Sequence, residues 1–407
     1  MNSCHEQRQR IILVTELFYP EETSTAHIVT KIANKLLCDF DVLIFTGPIS
    51  YEGRINLNST KPTVNETNIE RLQIFAPSKN SLLGRIFRFL LLTIGLGWKI
   101  LLRSRRTDIV FAVSNPAPLL VALAMVRVLR RFRLVFLVHD VFPENAVAAG
   151  IVSRDNLFYS LVKRVFNWAY ASANAVITIG RDMSEVLAKK IPTRAKRITL
   201  IENWADYPLA KQIPRDQSMI KFMGLSNQIV IQYAGNLGRA QGLLEFLSLI
   251  SFIENDVVRY VFRGSGALSS ELAKVIKVRN NILLENPYPR TDQNQILAAC
   301  DIALVILGPQ MFGLGVPSKT YNMMAAGKPI LFIGPKNSEI YRLVRDNDIG
   351  WAFDWGEEEK IISLIESFST EQLPLFAKMG EEAKLLAEKS YSEAVQLDKF
   401  RKLFHTL

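Results

Sequence analysis

Cysteine is scarce in this sequence: Cys4, Cys38 and Cys300 stand far apart in 407 residues, with no paired spacing. That excludes a disulfide framework and a cysteine-based zinc site, and it suits a reducing compartment. Histidine is nearly as rare, with His5, His27, His139 and His405 only. Long apolar runs are also missing. In the best candidate, residues 86–102, the uninterrupted run Phe89 to Trp98 covers about ten residues, half of the roughly 20 that cross a bilayer. The N-terminal MNSCHEQRQR is polar and leads straight into a strand, so it does not read as a signal peptide and a cytoplasmic location is expected. There is no low-complexity tract and no short repeat. With 49% apolar and 22% charged residues, the chain is globular rather than fibrous or disordered.

Acid is nearly absent from one long span. Between Arg71 and His139 twelve Lys and Arg residues face a single acid, Asp108, so this span alone accounts for the net charge of +10. A focused positive surface attracts an anion: nucleic acid, a phospholipid surface or a phosphorylated substrate. The segment IFRFLLLTIGLGWKILL (86–102), bracketed by Arg88 and Lys99 and followed by Arg103, Arg105 and Arg106, predicts an amphipathic helix lying on a membrane surface. The alternative is a buried helix with basic ends. Nucleic acid is not an expected partner, since no recognition module accompanies the charge.

Short runs rich in Val and Ile alternate with helical patterns along the whole chain. IILVT (11–15), DVLIF (41–45), IVFAV (109–113), LVFLV (134–138), AVITI (175–179) and ITLIE (198–202) read as parallel strands buried on both faces. A polar stretch with Pro208 and Pro214 interrupts the alternation. It then restarts at IVIQYAG (229–235) and continues through VVRYVFRG, NILLE, DIALVIL, PILFIG and IGWAF. The expected fold is therefore α/β, with two doubly wound, Rossmann-like domains facing a cleft. The boundaries are an N-terminal domain over 1–205, a linker over 206–226, a second domain over 227–388 and a last helix over 389–407.

In such sheets ligands lie beyond the carboxyl ends of the strands, which selects the loops to inspect. GNLGRAQG (235–242) ends a strand and opens a helix. Gly235, Gly238 and Gly242 allow close backbone approach, and Arg239 adds a cation, as a diphosphate cradle requires; a plain tight turn would need the same glycines. In VPSKTYNMMAAGKP (316–329), Ser318 and Lys319 open a helix. A cation is disfavoured there by the macrodipole, and a bound anion would relieve the conflict. The turn RGSG (263–266), with Gly264 and Gly266, offers backbone contact to a base or ribose, or is simply a turn.

His139 and Asp140 follow the strand LVFLV directly. This histidine can take a proton, hydrogen-bond a sugar hydroxyl, or serve in packing. Glu21, Glu22 and Thr23 precede a helix and either read hydroxyls of an acceptor or supply N-terminal helix charge. The two Asp-x-Asp triplets, Asp39–Asp41 and Asp346–Asp348, precede strands at the wrong end of the sheet. Neither a metal nor a cofactor is expected.

Several motifs in order resemble retaining glycosyltransferases of family 4 with the GT-B fold, in the branch that builds bacterial O-antigen, colanic acid and capsule. They are ILVTELFYPEETSTAH, VHDVFPENAVAAGIV, ENWAD, YAGNLGRAQGL, NPYPR and VPSKTYNMMAAGKPI. The resemblance implies a nucleotide-sugar donor, expected to be UDP-linked, on the C-terminal domain. It implies a polyprenyl-diphosphate-linked saccharide acceptor on the N-terminal domain, and a last helix crossing back to that domain. His139, Arg239 and Lys319 would be catalytic. Gly235, Asn236, Gly238, Gln241, Gly264, Gly266, Ser318 and Asn322 would bind donor, and Glu21, Glu22, Thr23 and Asp140 acceptor. The enzyme would be peripheral at the inner face of an anionic plasma membrane. The chain departs from the family where Asn236 and Gln241 replace an Arg and a Lys, and where Leu314 and Asn322 replace a pair of glutamates. Two rivals share the architecture: a non-hydrolysing UDP-sugar 2-epimerase and a degenerate GT-B binding subunit.

Overall fold

Runs apolar on both faces cannot sit at a solvated surface, and here each becomes a strand of a parallel sheet, ITLIE, NILLE and IGWAF at sheet edges and the others inside. The computed structural model describes residues 8–21, 23–49, 65, 68–74, 82–153, 155, 157–205, 213–238, 241–276, 279–288 and 290–407. By contact, the chain divides into two units. The first comprises Met1–Ile179, Met183–Ile201 and Leu397–Leu407, and the second Gly180–Asp182 and Glu202–Gln396.

The first unit runs β1 (Arg10–Thr15), α1 (Ser24–Leu36), β2 (Asp41–Thr46), β3 (Ile69–Arg71), α2 (Leu82–Arg103), β4 (Ile109–Val113) and α3 (Pro118–Arg130). It continues with β5 (Arg133–Val138), α4 (Glu144–Ala148), α5 (Leu157–Ser172), β6 (Ala175–Thr178), α6 (Arg181–Lys190) and β7 (Ile198–Leu200). The sheet order is β3-β2-β1-β4-β5-β6-β7, parallel throughout. All five residues of β4 are buried. β3 is an edge strand of three half-buried residues without an apolar run, so the sequence pattern does not reveal it.

The second unit holds α7 (Met219–Phe222), β8 (Ile229–Ala234), α8 (Leu243–Leu249), β9 (Val258–Arg263), α9 (Ser269–Ile276), β10 (Ile282–Glu285) and α10 (Gln293–Ala298). There follow β11 (Ile302–Ile306), α11 (Lys319–Ala325), β12 (Ile330–Ile333), α12 (Glu339–Asn347), β13 (Gly350–Phe353), α13 (Glu358–Glu366) and α14 (Leu373–Ser390). Its sheet is β10-β9-β8-β11-β12-β13. Strand order therefore reverses between β1 and β4 in one sheet and between β8 and β11 in the other. These reversals are the switch points at which doubly wound sheets bind ligands.

Part of the stretch expected as linker is folded. Ile220 is buried with Leu225 and Val230, and Arg215 pairs with Asp301 at 2.7 Å and also donates to Ser226 O, so 213–226 belongs to the second unit. Residues 206–212 lie outside the described set. The last helix, α15 (Glu393–Thr406), returns the chain to the first unit. Phe404 meets Phe111 edge-on at 5.1 Å, and Arg401 and His405 both bond the Asp39 carboxylate. These partners hold the Asp39 pKa down at about 2. Asp346, from the other Asp-x-Asp triplet, pairs with Arg181 at 3.0 Å.

The basic span is partly neutralised inside the fold. Arg88 is buried against Glu16 at 3.1 Å, each side chain 3% exposed, while Lys99 and Arg103 share Glu70. Arg88 therefore faces the interior, although Ile94 and Trp98 of the same helix are exposed. Arg105, Arg106, Arg130, Arg131 and Arg133 are exposed without an ion pair among the described residues, and Arg103, also exposed, keeps its pair with Glu70.

Candidate active site

At the switch point of the second sheet, two turns are joined backbone to backbone. Beyond the end of β8, Gly235 N donates to Arg263 O at 2.9 Å, Leu237 N to Ser265 O at 3.0 Å, and Leu268 N to Leu237 O at 2.9 Å. Only glycine permits this approach. A Cβ on Gly264 (φ +152°) would lie 1.8 Å from Gly235 O, and one on Gly266 would lie 2.4 Å from Leu237 O. The Tyr233 hydroxyl donates to Asn236 O at 2.8 Å and fixes the turn from below. Gly235 and Gly264 thus spend their N–H groups on extending the sheet. The N–H groups of Asn236 and Gly238 have no partner among the described residues and are the donors left for a ligand. Gln241 folds over Gly238, with its Oε1 shielded and without a partner among the described residues. Arg239 lies outside the described residues.

The other side of the switch point is the loop from β11 to α11. Leu314, at the position of the first family glutamate, is 4% exposed and packs in the core. Ser318 is the N-cap of α11 and its hydroxyl makes no capping bond. Lys319 is the first helical residue, and half-buried Asn322 follows one turn later. α8 and α11 have seven residues each, so they offer local N–H groups rather than long macrodipoles. The Lys319 ammonium stands 5.7 Å from the centre of the Tyr288 ring, in the loop after β10. β8 and β9 lie between β10 and β11, so this contact reaches across the carboxyl edge of the sheet where the two glycine turns lie.

The corresponding edge of the first sheet holds His139 and Asp140. Ser114 Oγ accepts from His139 N at 3.0 Å and Asp140 N at 3.3 Å, and so pins the end of β5 to that of β4. Burial lowers the His139 pKa to about 4, so the ring is neutral near pH 7. Its Nε2 is shielded and has no partner among the described residues. Burial raises the Asp140 pKa to about 6, opposed by Asn145 Nδ2 donating to Oδ1 at 2.6 Å. Thr23 is occupied as the N-cap of α1, accepting from Ala26 N at 3.1 Å. Glu21 is 6% exposed, and Glu22 lies outside the described residues.

The raised Asp140 pKa sets a stability test. Between an unfolded value near 3.8 and about 6, the folded protein binds more protons than the unfolded one, so stability falls as pH rises through that window. Asp140→Asn should therefore raise Tm at pH 7.5 by roughly 2–4 °C and leave it nearly unchanged at pH 3.5. Scanning calorimetry at both pH values decides; equal gains at both would remove the charge explanation.

Residues 39–207 match the family model described as Glycosyltransferase Family 4. The probable glycosyltransferase WbjE of Pseudomonas aeruginosa is 34% identical over 399 residues, covering 96% of both chains. The chain belongs to glycosyltransferase family 4. Solved structures agree on the fold. Anabaena HepE in complex with UDP superposes with a TM-score of 0.70 at 17% identity, covering 98% of this chain and 100% of that one. WaaG, a glycosyltransferase involved in lipopolysaccharide biosynthesis, gives 0.65 at 15% identity, with 96% and 98% covered. The transferase thus has the GT-B architecture of two Rossmann-like sheets.

Within this transferase the structure brings Gly235, Asn236, Gly238, Gln241, Gly264 and Gly266 into one cradle, with Lys319 reaching over the same sheet edge. His139 and Asp140 form a second group, pinned by Ser114. Sequence reasoning missed three residues. Ser114 had a signal, standing directly after a strand in SNPAP. Tyr288 lay in the NPYPR motif without a role, and Arg263 was read only as the start of a turn.

Proposed function

We propose that this family 4 transferase moves a sugar from a nucleoside-diphosphate donor, UDP-linked, to a polyprenyl-diphosphate-linked saccharide in the assembly of a bacterial surface polysaccharide such as O-antigen or capsule. The observation that carries this reading is the Lys319–Tyr288 contact, which brings a cation to the sheet edge where the turn after β8 leaves the N–H groups of Asn236 and Gly238 without a partner among the described residues. Such a pocket of donors and positive charge fits a diphosphate. The HepE structures with UDP and UDP-glucose, and the involvement of WaaG in lipopolysaccharide biosynthesis, support the donor and polymer classes.

The leaving nucleoside diphosphate is met by Lys319, by the N–H groups of Asn236 and Gly238, and by Arg239. This reading requires no divalent ion. Ser318 and Asn322 contribute a hydroxyl and an amide, the latter toward the ribose. Interactions that strengthen as the glycosidic bond breaks lower the barrier. Transfer proceeds with retention, the acceptor hydroxyl attacking from the face the diphosphate leaves, so no enzyme nucleophile forms. Neutral His139 orients the sugar through Nε2, and Asp140, with Glu21 and Glu22, receives acceptor hydroxyls. In the test, purified enzyme is given UDP-sugars and a short polyprenyl-diphosphate saccharide, and the product is read by mass spectrometry and NMR. An epimer formed from donor alone would replace this reading with the 2-epimerase. Absent nucleotide binding in calorimetry would leave a binding subunit.

The acceptor implies a membrane. No described helix is long and apolar enough to cross one. α2 packs on α3 and α3 on α5, and they expose Ile94, Trp98, Val128, Leu129, Phe158 and Leu161. An outer face this apolar on neighbouring helices marks an interaction surface. Arg105, Arg106 and Arg131 surround the C-terminal ends of α2 and α3, where cations also suit the helix ends. That combination fits an anionic bilayer, the side chains entering the interface and the cations meeting phosphate. Replacing the three arginines with glutamate should weaken sedimentation with phosphatidylcholine–phosphatidylglycerol vesicles by on the order of 100-fold at low salt. Unchanged sedimentation would remove the membrane from the proposal.

A further inference from the structure

Arg263 ends β9 and stands immediately before Gly264. It is 5% exposed. Among the described residues its only ion pair is a 3.6 Å contact from Nη1 to Glu285, whose own side chain is 39% exposed. Among the described residues, neither Nε nor Nη2 has a hydrogen-bond partner, although both are shielded from water. Nε–H and Nη2–H form one edge of the guanidinium, the parallel fork that matches two oxygens of a carboxylate or phosphate. A buried cation whose fork is empty and whose counter-charge is partly solvated costs free energy that an incoming anion would offset.

Its position selects the anion. Parallel pairing sets Arg263 level with Ala234 of β8 and Glu285 of β10, beside the turn that begins at Gly235. The described residues of that turn carry no cation. Tyr288, beneath the Lys319 ammonium, stands three residues after Glu285, the register partner of Arg263, so both cations lie toward the carboxyl edge of one sheet. Desolvation lowers the Arg263 pKa and Glu285 opposes the shift, consistent with a charge the protein compensates incompletely. A neutral base carbonyl would accept a hydrogen bond but leave the charge unmet; a phosphate satisfies both. We propose that Arg263 binds a phosphate of the donor's diphosphate through its Nε/Nη2 edge, as a partner of Lys319 in the same site. This rests on the donor reading above and names a residue that reading lacked.

Titration calorimetry of the full-length protein tests it. Wild type is first titrated with UDP, GDP, ADP and dTDP. If none binds, the donor reading itself fails and this proposal falls with it. With the diphosphate that binds, Arg263→Met should lose about 10- to 100-fold in affinity and Arg263→Lys less, because lysine keeps the charge without the fork. Affinity for the matching nucleoside should not change. Diphosphate affinity within about threefold of wild type in both variants overturns the proposal. A parallel loss for the nucleoside overturns it too, by making Arg263 a reader of base or ribose. Unliganded Tm supplies the control. Removing a charge met only by a partly exposed carboxylate at 3.6 Å should leave Tm unchanged or higher, and a fall in both variants would show a structural counter-ion for Glu285 instead.

Discussion

Lys319→Ala should lower sugar transfer by at least about 100-fold while the protein keeps its fold. Its ammonium is the described cation that reaches over the carboxyl edge of β8 and β9, held there against the Tyr288 ring. One charge-assisted hydrogen bond to a diphosphate oxygen contributes about 1.5–3 kcal/mol. If it strengthens as charge develops on the leaving group, 2.7 kcal/mol already corresponds to roughly 100-fold in rate. Loss should appear mainly in kcat, because an interaction made in the transition state does not strengthen substrate binding equally. Lys319→Arg should recover part of the rate, since charge and ring contact persist while the donor geometry changes. Initial-rate kinetics beside a circular dichroism spectrum checks this. Turnover near wild type in folded Lys319→Ala would remove the residue from the chemistry.

Gly264→Ala should cost several kcal/mol of stability and abolish nucleotide binding together. An added methyl would sit 1.8 Å from Gly235 O, a backbone atom with no side chain to move aside, at a φ of +152° that residues with a Cβ rarely adopt. The two turns must then part, which breaks the bond from Gly235 N to Arg263 O and the one from Leu237 N to Ser265 O. Gly224→Ala is the matched control. Its φ is +72°, but nothing lies within 4 Å, so it should cost only about 1 kcal/mol of backbone strain. Thermal unfolding and UDP titration of both variants separate steric collision from general intolerance of alanine. A Gly264→Ala protein with wild-type Tm and affinity would mean that the turns are not packed as described.

Much of the architecture was legible because its cause is local. A parallel strand covered on both faces must be apolar on both faces, and IVFAV or LVFLV says so without any partner being known. Glycine at the end of such a strand marks close approach, so the cradle at 235–242 could be located. What glycine there approaches could not, because the oxygen that excludes a Cβ at 264 belongs to residue 235. The polar stretch before β8 shows the opposite failure. It looked like a linker since helix α7 has four residues, too few to display periodicity, yet Ile220 is buried.

The amino-acid order by itself determined the α/β alternation, the two doubly wound sheets, the loops at the strand ends and the family. These depend on periodicity and on residue types a few positions apart. Tertiary structure alone decided the fate of individual charges. Arg88, apparently a flank of an exposed helix, is buried against Glu16, 72 residues away. Asp39 receives Arg401 and His405 of the returning helix, separated from it by 362 and 366 residues. Arg263, apparently the start of a turn, is enclosed with its fork empty. A charge is inexpensive in water and costly in the interior, and only the folded chain determines which it meets.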